Sequence, residues 1–370
     1  VNEGYFEELI RKYLLENPHG CIMTLVPKKG LAAQREKELE EKLEAYRSSL
    51  SEEQLDAMVE KTKALEAYQE AGEDPKALEC IPMLKRSDIK REAAKIINEE
   101  LTVDDSLFLY HDVCTNGIGY VDLMFKTDSI APEQIPYLGL LKSVLGYVDT
   151  ENYTYGELFN EINANTGGIN CGVEVFDRAD STEEFQAMFS VRGKALYTKM
   201  DFLFKMIGEI LNSSKLEDTK RLYEIVASVK SRAQVNLTGA GHSTAVLRAA
   251  AYSSTMAAFQ DEMAGIGYYQ FIEKLEKDFY QRKEETVEEL RRLMKEILRP
   301  ENFIISYTGE KESLETVKKL ALSVKEGLCT DPVERSQDKL TCTKKNEGFK
   351  TSGQVQYVAQ TGNFKKKGLE

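Results

Sequence analysis

Apolar residues and one threonine recur every three or four positions along two consecutive, otherwise charged stretches near the start of the chain. They are Leu39, Leu43, Tyr46 and Leu50 in the first stretch, and Leu55, Met58, Thr62 and Leu65 in the second. This period predicts two antiparallel helices between residues 31 and about 72, packed together along one narrow apolar stripe each. The junction Ser51-Glu52-Glu53-Gln54 has the form of a capping box. A hairpin of this kind has little core of its own, so we expect it to connect or brace a larger structure.

From about residue 102 onward, short apolar runs of strand length alternate with helical patterns. The predicted strands are 107–110, 118–125, 167–176, 184–191 and 303–307, and the predicted helices are 135–148, 155–165, several between 196 and 298, and 313–326. A turn at 115–117 joins the first two strands. This order is typical of an α+β fold, here an antiparallel sheet with helices packed on one face, preceded by the long antiparallel helical hairpin. Before the hairpin we expect a short helix at 5–15, a turn at 17–20 and a strand at 21–27.

These patterns divide the chain into three expected regions. Residues 1–100 form a helical-hairpin linker region, 101–327 an α+β module, and 328–370 a polar linker followed by the first strand, 354–359, of a truncated further module. The first residues lack both a starting methionine and the basic-then-apolar order of a signal peptide. We therefore expect the chain to begin inside a longer protein.

Composition narrows the classes of function. A net charge of −13 over 370 residues argues against nucleic acid as a partner, because phosphate binding needs a basic surface. No apolar run approaches the roughly 18 residues that a membrane span needs, so we expect no membrane partner. The six cysteines are scattered without close pairs, which favours reduced thiols in a cytoplasmic compartment.

The histidines and cysteines do not form a recognisable catalytic motif. His19, His111 and His242 lie far apart, and none belongs to an HxxEH or HxxxH pair, so a zinc site would have to be assembled from remote positions. No GxSxG motif is present, although folding could pair a histidine with Cys171 or Cys114 and make a metal-independent hydrolase. We assign no catalytic, cofactor-binding or metal-ligating residue in this chain.

A glycine-rich segment at 238–243 (TGAGHS) precedes an alanine-rich helix. Amides at a helix N-terminus attract anions, so the segment could form a phosphate cradle. The lysine of a P-loop is missing, however, and a helix rather than a strand leads into the glycines. We therefore predict a tight turn between two helices, capped by Ser243.

Three features carry a family resemblance when taken together: the charged hairpin, the strap IPMLKRSDI at 81–89 and the block GAGHSTAVLRAA at 239–250. The segments NPH at 17–19 and GIGYYQF at 265–271 agree with them. Together they resemble the presequence-protease branch of the inverzincin metallopeptidases, which is subfamily C of the M16 peptidases and is similar at longer range to the insulin-degrading enzyme. The resemblance covers nearly the whole chain.

The resemblance implies a protein of four homologous α+β modules in two halves, joined by a helical hairpin and closing around a peptide-sized chamber. This chain would supply the hairpin and the third module, whereas the HxxEH zinc motif of the family belongs to the first. When residues 138–142 are laid on that motif, the histidine positions fall on Leu138 and Lys142 and the glutamate position on Leu141. These residues neither bind zinc nor activate its water. The resemblance therefore implies no cofactor in this chain and zinc in the parent protein.

The function expected from this resemblance is that of a fragment of a zinc-dependent metallopeptidase degrading unfolded peptides. The fragment would supply the hinge and part of the chamber wall, and would be inactive alone. Its partners would be the remaining modules of the same polypeptide, and peptide substrates in the full-length protein. The alternative is a non-catalytic scaffold or a silent partner subunit of a heteromeric peptidase.

Overall fold

The computed structural model describes residues 4–178, 181, 184–333, 336, 338–351, 355–363 and 368. The chain divides into two units, Val1–Ala93 and Ala94–Glu370. Among the residues described, no helix is both long enough and apolar enough to cross a membrane.

The first unit is helical. Its helices are α1 (Tyr5–Ile10), extended by a π-helical turn at Arg11–Leu15, then α2 (Leu31–Ser49), α3 (Glu52–Glu70) and α4 (Pro75–Leu78). The predicted short helix, the turn at 17–20 and the two long helices are therefore confirmed. The capping box is also confirmed, because the Gln54 amide donates to Ser51 Oγ at 3.3 Å and the Ser51 amide donates to Gln54 Oε1 at 3.0 Å.

The apolar stripes of α2 and α3 do not meet, which corrects the prediction of a zipped hairpin. No residue of either helix is buried, and Leu43 and Leu65 are 58% and 54% exposed. The two helices do not pack along their lengths. A stripe of about one apolar residue per turn, flanked by glutamate and lysine, buries too little area to offset the ordering of those long side chains.

Two predicted strands are not formed. Residues 21–27 have no regular structure, and Ile22 is 98% exposed. Residues 355–359 are likewise irregular, and Gln354, where that strand was predicted to start, lies outside the described residues. A strand needs hydrogen bonds to a neighbour, and neither segment pairs with any strand in the described part of the chain.

The second unit is built on a six-stranded sheet in the order β1-β2-β6-β3-β5-β4. The strands are β1 (Glu99–Val103), β2 (Ser106–Asp112), β3 (Ile118–Lys126), β4 (Ile169–Asp177), β5 (Phe185–Leu196) and β6 (Phe303–Gly309). All neighbours are antiparallel except β2 and β6. The α+β class is confirmed, but the sheet is mixed and the turn at 115–117 does not join a hairpin, because β6 lies between β2 and β3.

Helices cover the apolar face of this sheet. They are α5 (Ile135–Val144), α6 (Tyr155–Asn165), α7 (Met200–Ser213), α8 (Thr219–Gly239), α9 (Gly241–Ala251), α10 (Thr255–Ala264), α11 (Ile266–Lys277), α12 (Phe279–Ile297) and α13 (Leu314–Glu326). Alternation along the strands sends Val121, Leu123 and Phe125 into one core with the helices, whereas Tyr120 and Arg192 on the other face are exposed.

Helix α5 lies at the centre of this packing. Its residues Leu138, Leu140 and Leu141 are fully buried, and it contacts α8, α10, α11, α12 and β4. A Cβ on Gly139 would lie 2.6 Å from the Met263 carbonyl oxygen and 2.7 Å from a ring carbon of Tyr268. The missing side chain at residue 139 therefore permits the close approach of α5 to α10 and α11.

The irregular segment after residue 338 lies against α9 and α10. Arg248 of α9 joins the two, because its guanidinium pairs with Glu347 at 2.7 Å and with buried Asp261 of α10 at 2.5 Å. Asp261 also accepts hydrogen bonds from the amides of Ile266 and Gly267 at 3.0 and 3.1 Å. One carboxylate thus fixes the first turn of α11 and the position of Arg248.

The packing at Gly139 predicts a reversal of the usual effect of alanine in a helix. Gly139→Ala should lower the free energy of unfolding by about 1–3 kcal/mol, because overpacking outweighs the gain in helix propensity. Gly208 of α7 is a matched control, since a Cβ added there would meet nothing within 4 Å beyond the backbone of its own helix. Gly208→Ala should be neutral or stabilising by up to about 1 kcal/mol. Urea unfolding followed by circular dichroism measures both, and equal effects would contradict the close approach.

The Arg248 cluster predicts unequal costs for its two carboxylates. Asp261→Asn should destabilise the protein by about 3 kcal/mol, because it removes one member of a buried ion pair. Glu347→Gln should cost about 1 kcal/mol or less, since that side chain is partly exposed. Thermal unfolding measures the stability of both variants. A larger loss of stability in Glu347→Gln would contradict the prediction, because it would make Glu347 the more stabilising partner of Arg248.

Candidate functional site

A cavity of about 570 Å³ opens between α5, β4 and α8. Its walls are the end of α5 and Tyr147 beyond it, residues 170–174 of β4, and one face of α8. This volume lies within the range of roughly 300–1,000 Å³ that is usual for small-ligand sites. It is therefore the candidate functional site of the second unit.

Helical spacing explains which side chains reach the cavity. On α8, Arg221, Ser228 and Arg232 are separated by seven and four residues and so share one face. On α5, Leu138 and Leu141 point into the core, whereas Lys142 lines the cavity. The sequence pattern singled out Lys142 only as a mismatch to a zinc motif, and it gave no reason to connect that lysine with α8.

Lys142 carries a partly buried ammonium group. No hydrogen bond or ion pair links it to another described residue. Removal from water disfavours its charged form and lowers the pKa of Lys142 below its usual value. Since no carboxylate among the described residues offsets this desolvation, Lys142 has no counter-ion in that part of the chain.

The acidic residues of the cavity are already engaged. Glu224 pairs with Arg221 at 3.1 Å, and Glu174 pairs with Arg192 at 3.1 Å. Arg221 also stacks on the Tyr155 ring at 4.0 Å. The cations that remain without an anionic partner, within the described chain, are Lys142 and the exposed Arg232.

The cysteines singled out by sequence do not form a nucleophilic site. Cys171 lines the cavity, but burial raises the pKa of its thiol to about 12, so the thiol stays protonated at neutral pH. Cys114 is exposed, and its Sγ lies 3.8 Å from Asn116 Oδ1. No hydrogen bond joins either thiol to a histidine among the described residues, so the geometry does not favour a cysteine hydrolase.

The three histidines also remain apart. His111 bonds through Nδ1 to the Ile97 carbonyl at 2.7 Å and through Nε2 to Ser306 Oγ at 3.2 Å. His242 lies near the Tyr357 ring at 6.1 Å, and His19 sits in the exposed turn of the first unit. Over the described positions, no group of three His, Cys, Asp or Glu residues is arranged to hold a metal ion.

The α5 positions tested against the zinc motif do not fit the metal. Leu138 and Leu141 have no accessible surface, and the third position, Lys142, presents an ammonium. None of the three side chains is a zinc ligand.

The glycine-rich segment forms the predicted interhelical turn. Ala240 alone separates α8 from α9, and the second helix already starts at Gly241. Ser243 consequently lies inside the helix and does not cap it, which corrects that part of the prediction. A Cβ on Gly241 would meet the Tyr357 ring at 2.6 Å, so the glycine accommodates the returning chain.

Known proteins resemble this chain along its whole length. A family model described as peptidase M16-C associated matches residues 25–275. The chain is 34% identical to Protein HypA of Clostridium perfringens and 28% identical to Presequence protease 1, chloroplastic/mitochondrial, of Arabidopsis thaliana. In both comparisons the match includes 100% of this chain, but only 38% and 34% of the relatives. The chain thus spans about a third of the length of these relatives.

One solved structure shows a weaker likeness. It is described as the peptidase M16 inactive domain from Pseudomonas fluorescens, and the match covers 66% of this chain and 54% of that one. The identity is 14% and the TM-score is 0.44.

Because Lys142 has no ion-pair partner among the described residues, we expect its replacement to stabilise the protein. The size of this gain should depend on pH. Because the pKa of Lys142 is lowered in the folded state, the unfolded chain binds more protons between that pKa and 10.5, and stability rises with pH there. The penalty is present below the lowered pKa and is lost as the pH rises towards 10.5. Lys142→Met should therefore raise the free energy of unfolding by about 1 kcal/mol at pH 7, and by less at pH 10.5.

Urea unfolding at the two pH values measures this effect. Lys220→Met is the control, since Lys220 lies exposed on α8 outside the cavity, and it should change stability by less than about 0.5 kcal/mol at either pH. A Lys142→Met variant that is less stable than the parent at pH 7 would mean that the ammonium has a stabilising partner.

Proposed function

Because the chain belongs to the peptidase M16-C associated family, we propose that it is the hinge and chamber-wall section of a zinc-dependent metallopeptidase that degrades unfolded peptides. The observation that carries this proposal is the alignment of the whole chain with about a third of a presequence protease. A section of that size is long enough for a linker and one module. The remaining modules of the same polypeptide would be its partners.

The catalytic zinc belongs, in this proposal, to the part of the parent protein outside this chain. The α5 helix supports that assignment, because core leucines occupy the positions tested for zinc ligands. The second unit then contributes a wall, a cavity and a free sheet edge at β4. An extended peptide can add to such an edge through backbone hydrogen bonds, independently of its sequence.

The first unit supplies the proposed hinge. Its two long helices expose their apolar stripes, at Leu43 of α2 and Leu65 of α3 among others. Packing of these stripes against the other modules would bury area that this chain leaves in water. A closed chamber must open to admit its substrate, so a helical connection of this kind would control turnover. The six free thiols support a reducing compartment such as the cytoplasm.

This function predicts different activities for the chain and its full-length parent. The purified chain should contain no stoichiometric zinc and should not cleave an unstructured fluorogenic peptide. The full-length parent should cleave the peptide, and a zinc chelator should abolish the cleavage. Metal analysis and the cleavage rate, with and without chelator, measure both.

Two results would contradict the proposal. Chelator-sensitive cleavage by the chain alone would require a site within it. A parent without zinc or activity that becomes active only with a second protein would favour the silent-subunit alternative. As a control, Gly208→Ala in the parent should leave the rate unchanged, because that position has open space around it.

A further inference from the structure

The cavity between α5, β4 and α8 reaches around the free edge of the sheet. Five consecutive residues of β4, 170–174, line it. Successive side chains of a strand point to opposite faces, so a cavity lined by five in a row must include the edge itself. Strand β4 pairs only with β5, which leaves its other edge without a strand partner in the described sheet.

The charges of the cavity suit a single negative charge. Its lining includes three cationic side chains, Lys142, Arg221 and Arg232, and two anionic ones, Glu174 and Glu224, which gives a net charge of +1. Both acids are already paired. A monoanion would balance the walls, whereas a dianion would leave one negative charge without a counter-charge.

This positive site is unusual for the chain as a whole. The protein carries a net charge of −13, whereas the lining of this cavity carries a net charge of +1. An ammonium held partly out of water without a partner costs free energy. Unpaired groups of this kind are concentrated at functional sites, where a ligand supplies the missing partner.

We propose that the cavity binds the carboxylate of an extended peptide, with the peptide backbone along the free edge of β4 and the carboxylate between Lys142 and Arg232. Gly172 lies at the middle of the lining segment. Ser228 offers a further hydroxyl donor to the same anion. The inference rests on the proposed function for the choice of a peptide as ligand. The carboxylate comes from a peptide C-terminus or from an acidic side chain.

Binding of three peptides to the intact chain tests the proposal. All have the same neutral, unstructured ten-residue sequence and an uncharged fluorophore. The first ends in a free carboxylate, the second is amidated, and the third is amidated and contains one internal glutamate. Fluorescence anisotropy should show that the free acid binds about tenfold or more tightly than the amide, as expected for a charge-assisted contact. Tight binding of the third peptide would identify side-chain carboxylates as equivalent ligands.

Variants show whether Lys142 is responsible. Lys142→Met should reduce the acid-to-amide ratio of affinities to about one, and Lys142→Arg should retain part of it. Lys220→Met, which removes a lysine from α8 outside the cavity, should leave the ratio unchanged. Circular dichroism checks that each variant is folded. If Lys142→Met fails to fold, Arg232→Met takes its place, because that exposed position can change without affecting the core.

The outcomes separate this inference from the proposed function, because binding is measured without cleavage. Equal affinity for acid and amide, or an unchanged ratio in Lys142→Met, would overturn the carboxylate site even if the full-length parent is a zinc peptidase. Competition by inorganic phosphate against all three peptides, together with equal affinities for the three, would also overturn the proposal. A ratio that depends on Lys142 would support the site even if the parent proves inactive.

Discussion

The close approach of α5 to α10 and α11 at Gly139 is the constraint on which the second unit depends. The helix contributes three fully buried leucines and contacts four other helices as well as β4. Protein interiors are packed as densely as organic crystals, so a displacement of this helix is transmitted to all of its neighbours. Lys142 lies less than one turn beyond Gly139. The position of Lys142 in the cavity is therefore set by packing in the core.

The same helix serves both the core and the cavity within one short stretch. Leucines at 138 and 141 serve the core, and the one polar residue of that short stretch, Lys142, faces the cavity. Function resides in side chains placed on a scaffold, so a module can keep its sheet and helices while its sites change. In this chain the cavity has charges and an open strand edge, but no group of three potential metal ligands is arranged to hold an ion among the described residues.

The sequence predicts elements well where local chemistry decides them. The capping box at Thr154 and Glu157 marks the start of α6, and its predicted and observed bounds agree. The alternation in β3 and β6 likewise gives their positions. The pairing of strands cannot be predicted in this way, because no local sequence signal indicates that β6 lies between β2 and β3. Strand β1 is not predicted, because Glu99 and Glu100 interrupt its apolar pattern. The turn at Asp104 and Asp105, both with positive φ, fixes its hairpin with β2.

The cavity could be predicted least, because it depends on three elements that are distant in the chain. The spacing of Arg221, Ser228 and Arg232 shows that they share a face of α8, but only the fold places that face opposite Lys142. The apolar stripes of α2 and α3 show a second limit of prediction from sequence. Their period predicts helices correctly, yet the period of Leu39 and Leu43 cannot say which surface will cover them.

The position of β6 has a consequence for synthesis on the ribosome. This strand is the last of the six in the chain but lies in the interior of the sheet, with β2 on one side and β3 on the other. Until residues 303–309 have left the exit tunnel, the nascent sheet exists as two separate pieces with unpaired apolar edges. Contacts of such long sequence separation form slowly and leave chains open to aggregation. The order of strands along the chain thus makes this unit a candidate for chaperone protection during translation.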